Sequence, residues 1–289
     1  MDLHQLEYVV AVADHGSFTR AAAAAQVAQP SLSQGIRQLE RSLGIELFAR
    51  VGRGVQITSA GELVVDAARR VLRDIADLTV VAAAANAAAV GRLDLVALPT
   101  LAVDPLAGLV GALRLRHPGI TVHIREPEEA ADIDQFVRSG RAELGLTDIT
   151  SGGQGLVRIP LFRQELLAVS PPGTVDDGAT LSPADLAGLP LVVTPAGTST
   201  RRILERALAR VDAAPNVVVE ISQREAILPL VLAGAGTALL PAPMAAEAAI
   251  RGAVVRALRP SVSRRVGLLH RRGHLSPAAT AMIALATRH

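Results

Sequence analysis

The residues with the clearest chemical potential lie between positions 29 and 41. Four aliphatic residues, Leu32, Ile36, Leu39 and Leu43, fall at helical spacing and form one narrow apolar stripe. The opposite face and flank of that predicted helix hold Gln29, Pro30, Ser31, Ser33, Gln34, Arg37, Gln38 and Arg41, and all of these except Pro30 carry an amide, hydroxyl or guanidinium group. Such groups can bind base edges and phosphates. An ordinary surface helix is the alternative interpretation of this stripe taken alone.

Two shorter helices must position that surface. Apolar residues over 3–13 follow helical spacing, and Gly16 ends this first helix. Ser17 or Thr19 can cap a second helix through the alanine block 21–25. Helices joined by tight turns, with a polar face on the following one, are typical of a helix-turn-helix.

A glycine-rich turn follows the third helix. Two short apolar runs flank residues 50–54, which predicts a β-hairpin, or wing, with arginines at its tip. Arg50 and Arg53 could there reach phosphates or a minor groove. A solvated turn is the alternative interpretation.

The first 61 residues resemble the DNA-binding domain of LysR-type transcriptional regulators. The matching stretches are Gly16–Ala22, Gln29–Gln34, Ile36–Glu40, Leu43-Gly44, Leu47-Phe48, Arg50 and Thr58–Gly61. Val27 departs from the usual leucine, and Gly35 interrupts the recognition helix. The resemblance implies a winged helix-turn-helix domain over 1–58 that binds double-stranded DNA.

Residues 59–90 predict a long helix between two domains. Ser59 and Glu62 have capping-box spacing, and apolar residues from Val64 to Ala85 alternate steps of four and three. Packing inside one globule is the alternative to pairing with a second copy. The resemblance implies a linker helix that forms an antiparallel homodimer, and assembly into a homotetramer.

Residues 91–289 alternate apolar runs with helical stretches, which predicts an α/β fold. Expected strands include 93–98, 121–125, 144–147, 166–170, 191–194, 217–221, 238–240 and 266–270. This part resembles the family's effector domain, which is similar to type 2 periplasmic-binding folds. The resemblance implies two subdomains, about 91–162 with 267–289 and about 163–266.

In that architecture a small-molecule effector binds between the subdomains, at strand ends and helix N-termini. The expected effector-binding residues are Thr100, Leu101, Glu126, Thr147, Thr198, Ser199, Thr200 and Ser222. A plain helix cap is the alternative role for any single Ser or Thr among them. Asp148 and Glu126 oppose a purely anionic ligand if both point inward, so the sequence leaves the charge of the ligand open.

Composition removes several function classes. The chain has no cysteine, which excludes thiolate metal sites, cysteine nucleophiles and cysteine redox sensing. Only 2% of its residues are aromatic, which argues against stacking of single-stranded nucleic acid. The net charge of +2 is weak, so a DNA-binding hypothesis must depend on the placement of residues.

Enzyme and membrane signals are missing from the sequence. No catalytic motif, metal site or cofactor is expected, and the G-x-G at 234–236 lacks the context of a dinucleotide site. The uncharged stretch 226–246 is broken by prolines and glycines, and the N-terminus has no signal-peptide pattern. We therefore expect a cytoplasmic protein without membrane contact.

The sequence thus predicts a homo-oligomeric, effector-controlled transcription regulator that binds DNA and possesses a surface for RNA polymerase. A small-molecule sensor or binding protein without specific DNA binding is the alternative, and a degenerate enzyme is a third class.

Overall fold

The computed structural model describes residues 1–51, 54–84, 91–127, 129–150, 152–175 and 180–288. The N-terminal domain contains α1 (Leu3–His15), α2 (Phe18–Ala24), α3 (Gln29–Leu43), β1 (Phe48–Val51) and β2 (Gly54–Ile57). Asp2 and Gln5 form a reciprocal cap on α1, and the Ser17 hydroxyl caps α2. One buried apolar cluster joins the three helices to the hairpin.

Helix α4 (Ser59–Ala84) leads out of this domain. Its first turns contribute the buried residues Val65 and Ala68 to the N-terminal core, whereas Val71 is 43% exposed. The cap is Thr58, because its Oγ1 accepts a hydrogen bond from the amide of Gly61 at 2.9 Å. The prediction that Ser59 caps this helix was therefore wrong by one residue. Residues 85–90, which include part of the predicted apolar seam, lie outside the described chain.

A seven-stranded mixed sheet organises the C-terminal part. Its members are β3 (Gly91–Ala97), β4 (Ile120–Arg125), β5 (Leu144–Asp148), β6 (Val157–Ser170), β9 (Ala238–Pro241), β10 (Val254–Arg256) and β11 (Val262–His270). The order is β10-β6-β11-β5-β3-β4, and β9 pairs with β6. Strands β3, β4 and β5 are parallel, while β11 runs antiparallel to both β5 and β6.

Two apolar regions lie on this framework. Lobe I, as we call it, contains β3–β5, α5 (Pro99–Leu101), α6 (Ala107–Arg116), α7 (Ala130–Arg138) and α12 (Pro277–Ala286) around one core. Lobe II contains β7 (Leu191–Val193), β8 (Val217–Glu220), β9, β10, α8 (Pro183–Gly188), α9 (Ser199–Ala209), α10 (Ile227–Leu232) and α11 (Ala242–Ile250). Strands β7 and β8 form a separate parallel pair.

Strands β6 and β11 belong to both lobes. Val266 and Leu268 of β11 lie in the core of lobe I, whereas Val262 of β11 and Leu166 of β6 lie in a core of lobe II. The two strands pair antiparallel along most of their length, with Phe162 opposite Val266. The fold is therefore the expected α/β class, with two lobes joined by two crossing strands.

The observed elements differ from the predicted ones mainly at these crossings. Strand β6 begins at Val157, nine residues before the predicted start at Leu166, and β11 begins at Val262 rather than Val266. Helices α8 and α11 and strand β10 were not predicted. None of the helices in the described ranges combines the length and the hydrophobicity that a membrane-spanning segment requires.

Candidate functional site

Three of the four stripe residues hold α3 in the N-terminal core. Leu32, Ile36 and Leu39 are at most 1% exposed. Leu43 is 40% exposed, because it is the last residue of the helix and Gly44 ends α3 in the left-handed conformation. The prediction that all four residues anchor the helix was therefore wrong at Leu43.

The opposite face of α3 is open to solvent. Its exposed residues are Gln29, Pro30, Ser31, Gln34, Arg37, Gln38 and Arg41. Ser33 differs, since it is buried and its hydroxyl accepts a hydrogen bond from Nε2 of Gln29 at 2.8 Å. We call the seven exposed residues the reading face. The reading face is free to meet another molecule.

Gly35 does not belong to the reading face. A Cβ at this position would lie 2.9 Å from Cδ2 of Tyr8 in α1, so only glycine lets the two helices approach so closely. The helix-propensity cost of Gly35 is therefore offset by packing of α3 against α1, and the residue does not interrupt the surface that could contact bases.

The hairpin after α3 is tied to the helix by Glu40. Its Oε1 accepts hydrogen bonds from the amides of Leu47 at 2.8 Å and Phe48 at 3.3 Å. This carboxylate fixes the start of β1 relative to the reading face. Arg50 lies in β1, but its side chain and all of Arg53 fall outside the described part of the structure.

Thr58 joins the hairpin to α4. Its hydroxyl donates to the carbonyl of Glu46 at 2.7 Å, while the same oxygen accepts from Gly61. A Cβ on Gly61 would lie 2.1 Å from the carbonyl oxygen of Leu47, so only glycine fits there. The contacts of Thr58 and Gly61 therefore hold the end of the wing and the start of α4 in close packing.

This geometry suits a DNA groove. An α-helix fits the major groove of B-DNA, and amide and guanidinium groups form bidentate bonds to adenine and guanine edges. The reading face presents three amides and two guanidinium groups on the exposed side of a 15-residue helix, and the wing lies next to it.

The second candidate site lies where β6 and β11 cross. Gln164 of β6 and Arg264 of β11 are register partners, and both are buried. Oε1 of Gln164 accepts hydrogen bonds from Nε and Nη2 of Arg264, at 2.8 and 2.5 Å. Nη2 also donates to Oγ1 of Thr100, at 2.8 Å. One arginine thus links both crossing strands to lobe I.

The charge of Arg264 is poorly compensated. Burial lowers the pKa of its guanidinium to about 10; the charge of Asp148 opposes that shift and that of Arg224 adds to it. The group therefore remains cationic at neutral pH. Asp148 directs one oxygen to the amide and hydroxyl of Thr150, at 3.0 and 2.5 Å, and the other lies 3.6 Å from Nη2 of Arg206.

An apolar cavity lies next to Thr100. Its polar lining is Thr100, Thr194, Thr200, Arg201 and Arg224. Aliphatic side chains form the remainder, including Val193, Leu204, Ile227, Leu239 and Met244. Because Thr100 comes from lobe I and the other lining residues from lobe II, the cavity lies in the cleft between the lobes.

The predicted effector residues fall into three groups. Thr100 and Thr200 line the cavity, and Thr147 is buried at the end of β5. Thr198 and Ser199 are buried at the start of α9, where Oγ1 of Thr198 lies 2.6 Å from Oγ1 of Thr194. Leu101 packs in the core of lobe I, while Glu126 and Ser222 are exposed.

Sequence reasoning missed Arg264 and Gln164. Each residue lies in a strand along which more buried and more exposed positions alternate. The burial of these polar side chains can therefore be predicted only after the strand itself has been predicted. Their pairing joins positions a hundred residues apart. No group of three or more His, Asp or Glu that could hold a metal ion occurs within the described ranges.

Two family models match the chain. Residues 3–62 match the model of the "Bacterial regulatory helix-turn-helix protein, lysR family", and residues 86–289 match the "LysR substrate binding domain". The chain belongs to the LysR family of transcriptional regulators. A LysR-type regulator binds DNA through the N-terminal domain and carries a C-terminal effector domain.

Relatives match this LysR-type chain along most of its length. The DNA-binding transcriptional dual regulator OxyR of Escherichia coli K12 is 30% identical over 276 residues, covering 94% of this chain and 90% of the relative. The transcriptional activator CmpR of Synechocystis is 29% identical over 245 residues, covering 82% and 78%.

Solved structures share the architecture. A full-length variant of OxyR from Pseudomonas aeruginosa has a TM-score of 0.76 and 25% identity, over 99% of this chain and 93% of that one. CbnR in complex with its target DNA has a TM-score of 0.66 and 22% identity, over 100% and 99%, which supports the fold alone.

Proposed function

We propose that the chain is a sequence-specific, effector-controlled transcription regulator that reads its operator with the reading face of α3. The observation that carries this proposal is a face of exposed amides and guanidinium groups on a helix whose other side is buried in its own domain. The buried stripe fixes the helix rigidly, so the polar face needs no reorganisation to enter a groove.

Arg37 provides the test. We expect Arg37→Ala to weaken binding to the specific operator by about 1–3 kcal/mol, because a guanidinium that bonds a guanine edge carries that much discrimination. Fluorescence anisotropy with the duplex upstream of the protein's own coding sequence, against a shuffled duplex, measures both affinities. Arg116→Ala, the same charge change at an exposed position in α6, is the matched control.

The outcomes separate the functional classes. Equal weakening on both duplexes would make Arg37 a phosphate contact, and the base-reading role would be lost. Absence of any duplex binding by the wild-type chain would favour a small-molecule sensor without specific DNA binding. Turnover of a bound small molecule would contradict our inference that the chain is not an enzyme.

We infer that the regulator responds to a ligand that binds reversibly between the lobes. Several relatives are named hydrogen peroxide-inducible genes activators. This chain has no cysteine, so cysteine oxidation is not available to it as a response to peroxide. A ligand that binds one arrangement of the lobes more tightly than another would shift the population of the two states.

Self-association and polymerase contact complete the proposal. Helix α4 presents exposed apolar residues, Leu63 at 73% and Val71 at 43%, which suit pairing with a second copy. Two reading faces would then meet successive major grooves, about 34–36 Å apart. Sedimentation of the full chain tests whether it forms a dimer or a tetramer. Transcription with purified RNA polymerase, at the ionic strength of the cytoplasm, tests the contact with the polymerase.

A further inference from the structure

A charged gap separates the N-terminal domain from lobe I. One cavity, of about 770 Å³, is lined on one side by α1, β2 and the first turns of α4, and on the other mainly by α7 and the residues that follow it. A second cavity, of about 290 Å³, lies between α1, α4, β3 and the end of β4. We call the two cavities together the gap. Asp14, Arg69 and Arg141 line both cavities, so they lie between them and bring the N-terminal domain next to lobe I.

Carboxylates are in excess on the side of the N-terminal domain and α4. Nη2 of Arg69 donates to Oδ1 of Asp14 at 2.5 Å, and Nη1 of Arg69 lies 3.5 Å from Oδ1 of Asp66. Glu62 lines the larger cavity as well. Among the lining residues on this side, one guanidinium group thus stands against three carboxylates, and the surplus charge is negative.

Lobe I has the opposite surplus. Four of its guanidinium groups and two of its carboxylates line the gap. Both carboxylates have partners within lobe I, because Nη2 of Arg92 donates to Oδ1 of Asp94 at 2.6 Å and Nη2 of Arg138 lies 3.6 Å from Oδ2 of Asp134. The two other guanidinium groups therefore make this side of the gap positive.

Those two groups belong to Arg125 and Arg141, and Phe136 holds them beside each other. Their central carbons lie 6.0 and 4.5 Å from the centre of the Phe136 ring, at cation–π distance. Burial lowers the pKa of the Arg141 guanidinium; the charge of Arg69 lowers it further, and that of Asp14 opposes the shift. Charges on the opposite side of the gap therefore act on Arg141.

No shared apolar core holds the two sides together. Among the described residues, the apolar cluster of the N-terminal domain contains no residue of lobe I, and the cluster of lobe I contains none of the N-terminal domain. Attraction across the gap therefore depends mainly on charge, which salt screens over about 10 Å at 0.1 M. Such a contact can open while both domains stay folded.

The gap is also connected to a crossing strand. Arg271 directly follows β11, and its Nη1 donates to the carbonyl of Ala142 at 3.3 Å and to that of Val137. Burial raises the pKa of the Asp66 carboxyl, and the charge of Arg271 is among those that oppose this shift. Arg271 thus contacts the segment that includes Arg141 and lies near α4, so a movement of β11 would reach both sides of the gap.

We propose that the gap is a releasable docking contact between the N-terminal domain and lobe I of one chain, in which the carboxylates of Asp14 and Asp66 attract the guanidinium of Arg141. Docking sets the direction of the reading face relative to lobe I. Because Arg271 links the contact to β11, a rearrangement of the lobes would shift the balance between the docked and released states. This regulatory part of the inference rests on the proposed function, whereas the contact itself does not.

Two spin labels measure docking directly, because a chain without cysteine can be labelled at chosen positions alone. Glu46→Cys places one label on the exposed surface of the N-terminal domain, and Thr280→Cys places the other on the exposed side of α12 in lobe I. The labelled full-length chain is mixed with a large excess of unlabelled chain, so that distances within one chain dominate. Pulsed electron paramagnetic resonance then gives the distribution of distances between the labels.

Salt and charge reversal should both release the contact. We expect one narrow distance distribution at about 50 mM salt and a broader one at about 500 mM, because the Debye length falls about threefold. Arg141→Glu should broaden the distribution even at low salt, since Asp14 and Asp66 then repel residue 141. Arg251→Glu, the same charge change at the exposed end of α11 in lobe II, is the control and should keep the narrow distribution. Circular dichroism verifies that both variants are folded.

Neutral variants test the pairing itself. Asp14→Asn and Arg141→Gln should each raise the ratio of released to docked chains about twofold to fivefold at low salt, the range for a partly exposed ion pair. The combined variant should go little beyond the larger single effect, because both changes remove one interaction. Arg251→Gln should add nothing to the effect of Asp14→Asn.

Three results would overturn the proposal. They are a narrow distribution for Arg141→Glu at low salt, a wild-type distribution that does not change between the two salt concentrations, and fully additive effects of Asp14→Asn and Arg141→Gln. The anisotropy assay with operator duplex is run on the same labelled chain. Retained operator binding would then show that the docking contact has failed while the proposed function stands.

Discussion

The reading face of α3 and the buried pair of Arg264 and Gln164 both carry polar groups with unused hydrogen-bonding capacity, but they differ in their access to water. On α3 the amides and guanidinium groups are exposed, so solvent satisfies them until a partner arrives. Around Arg264, Nε and Nη2 of the guanidinium are hydrogen-bonded, but its Nη1 and Nε2 of Gln164 are buried and have no hydrogen-bond partner among the described residues. An exposed polar face selects a partner by the positions of its hydrogen-bonding groups. A buried polar group without a hydrogen-bond partner has lost its bonds to water, and that free energy is not recovered in the folded chain.

The largest effect should come from the support of the reading face. Leu32→Ala is expected to lower the free energy of unfolding by about 2–5 kcal/mol, because Leu32 is fully buried and its removal leaves a cavity. Leu43→Ala, at the exposed end of the same stripe, should cost about 1 kcal/mol or less. Urea denaturation followed by circular dichroism measures both. Equal losses would mean that α3 is not held by the three buried residues.

The next effect concerns the connection between the reading face and the wing. Glu40→Ala should destabilise the N-terminal domain by about 1.5–3 kcal/mol, since two backbone amides lose a charged acceptor. Glu46→Ala, at an exposed position nearby, is the control and should change stability by about 0.5 kcal/mol or less. Thermal unfolding gives the difference, and an unchanged midpoint for Glu40→Ala would remove the role we assign to this carboxylate.

The smallest effect concerns buried polar groups, and here we expect one variant to be more stable than the wild type. Thr147→Val should raise stability by about 1 kcal/mol, because it removes a buried hydroxyl that has no partner. Thr237→Val should lower it by a similar amount, about 1 kcal/mol, because the hydroxyls of Thr237 and Ser170 lie 3.0 Å apart and bond each other. If both variants destabilise equally, the Thr147 hydroxyl is not an unsatisfied group.

The sequence predicted which side of α3 is exposed, apart from Ser33, because the signal there is local. Stripe, turn and hairpin follow one another directly along the chain, and helical spacing alone decides which side of α3 is apolar. Leu43 was assigned wrongly because periodicity does not show where a helix ends relative to its core. Ser59 was preferred to Thr58 as the cap because both residue types suit that role.

The cleft was predicted only in outline. The loops with Thr100 and Thr200 could be located because they follow or precede recognisable elements. Arg264 and Gln164 could not, since their burial follows from the pairing of β6 with β11, and no local pattern encodes a pairing between distant strands. The start of β6 was missed for the same reason: charged residues and Pro160 make it resemble a loop until its partner is known.

The junction at Thr58 has a mechanical consequence. The Thr58 hydroxyl bonds both the segment before the hairpin and the first turn of α4, and Val65 and Ala68 pack in the N-terminal core, so we expect α4 and the winged domain to turn together. A 26-residue helix is about 39 Å long, so a tilt of about 5° at one end moves the other by roughly 3 Å. In the dimer proposed above, small angular changes at the far end of α4 would therefore alter the separation of the two reading faces by about one base-pair step.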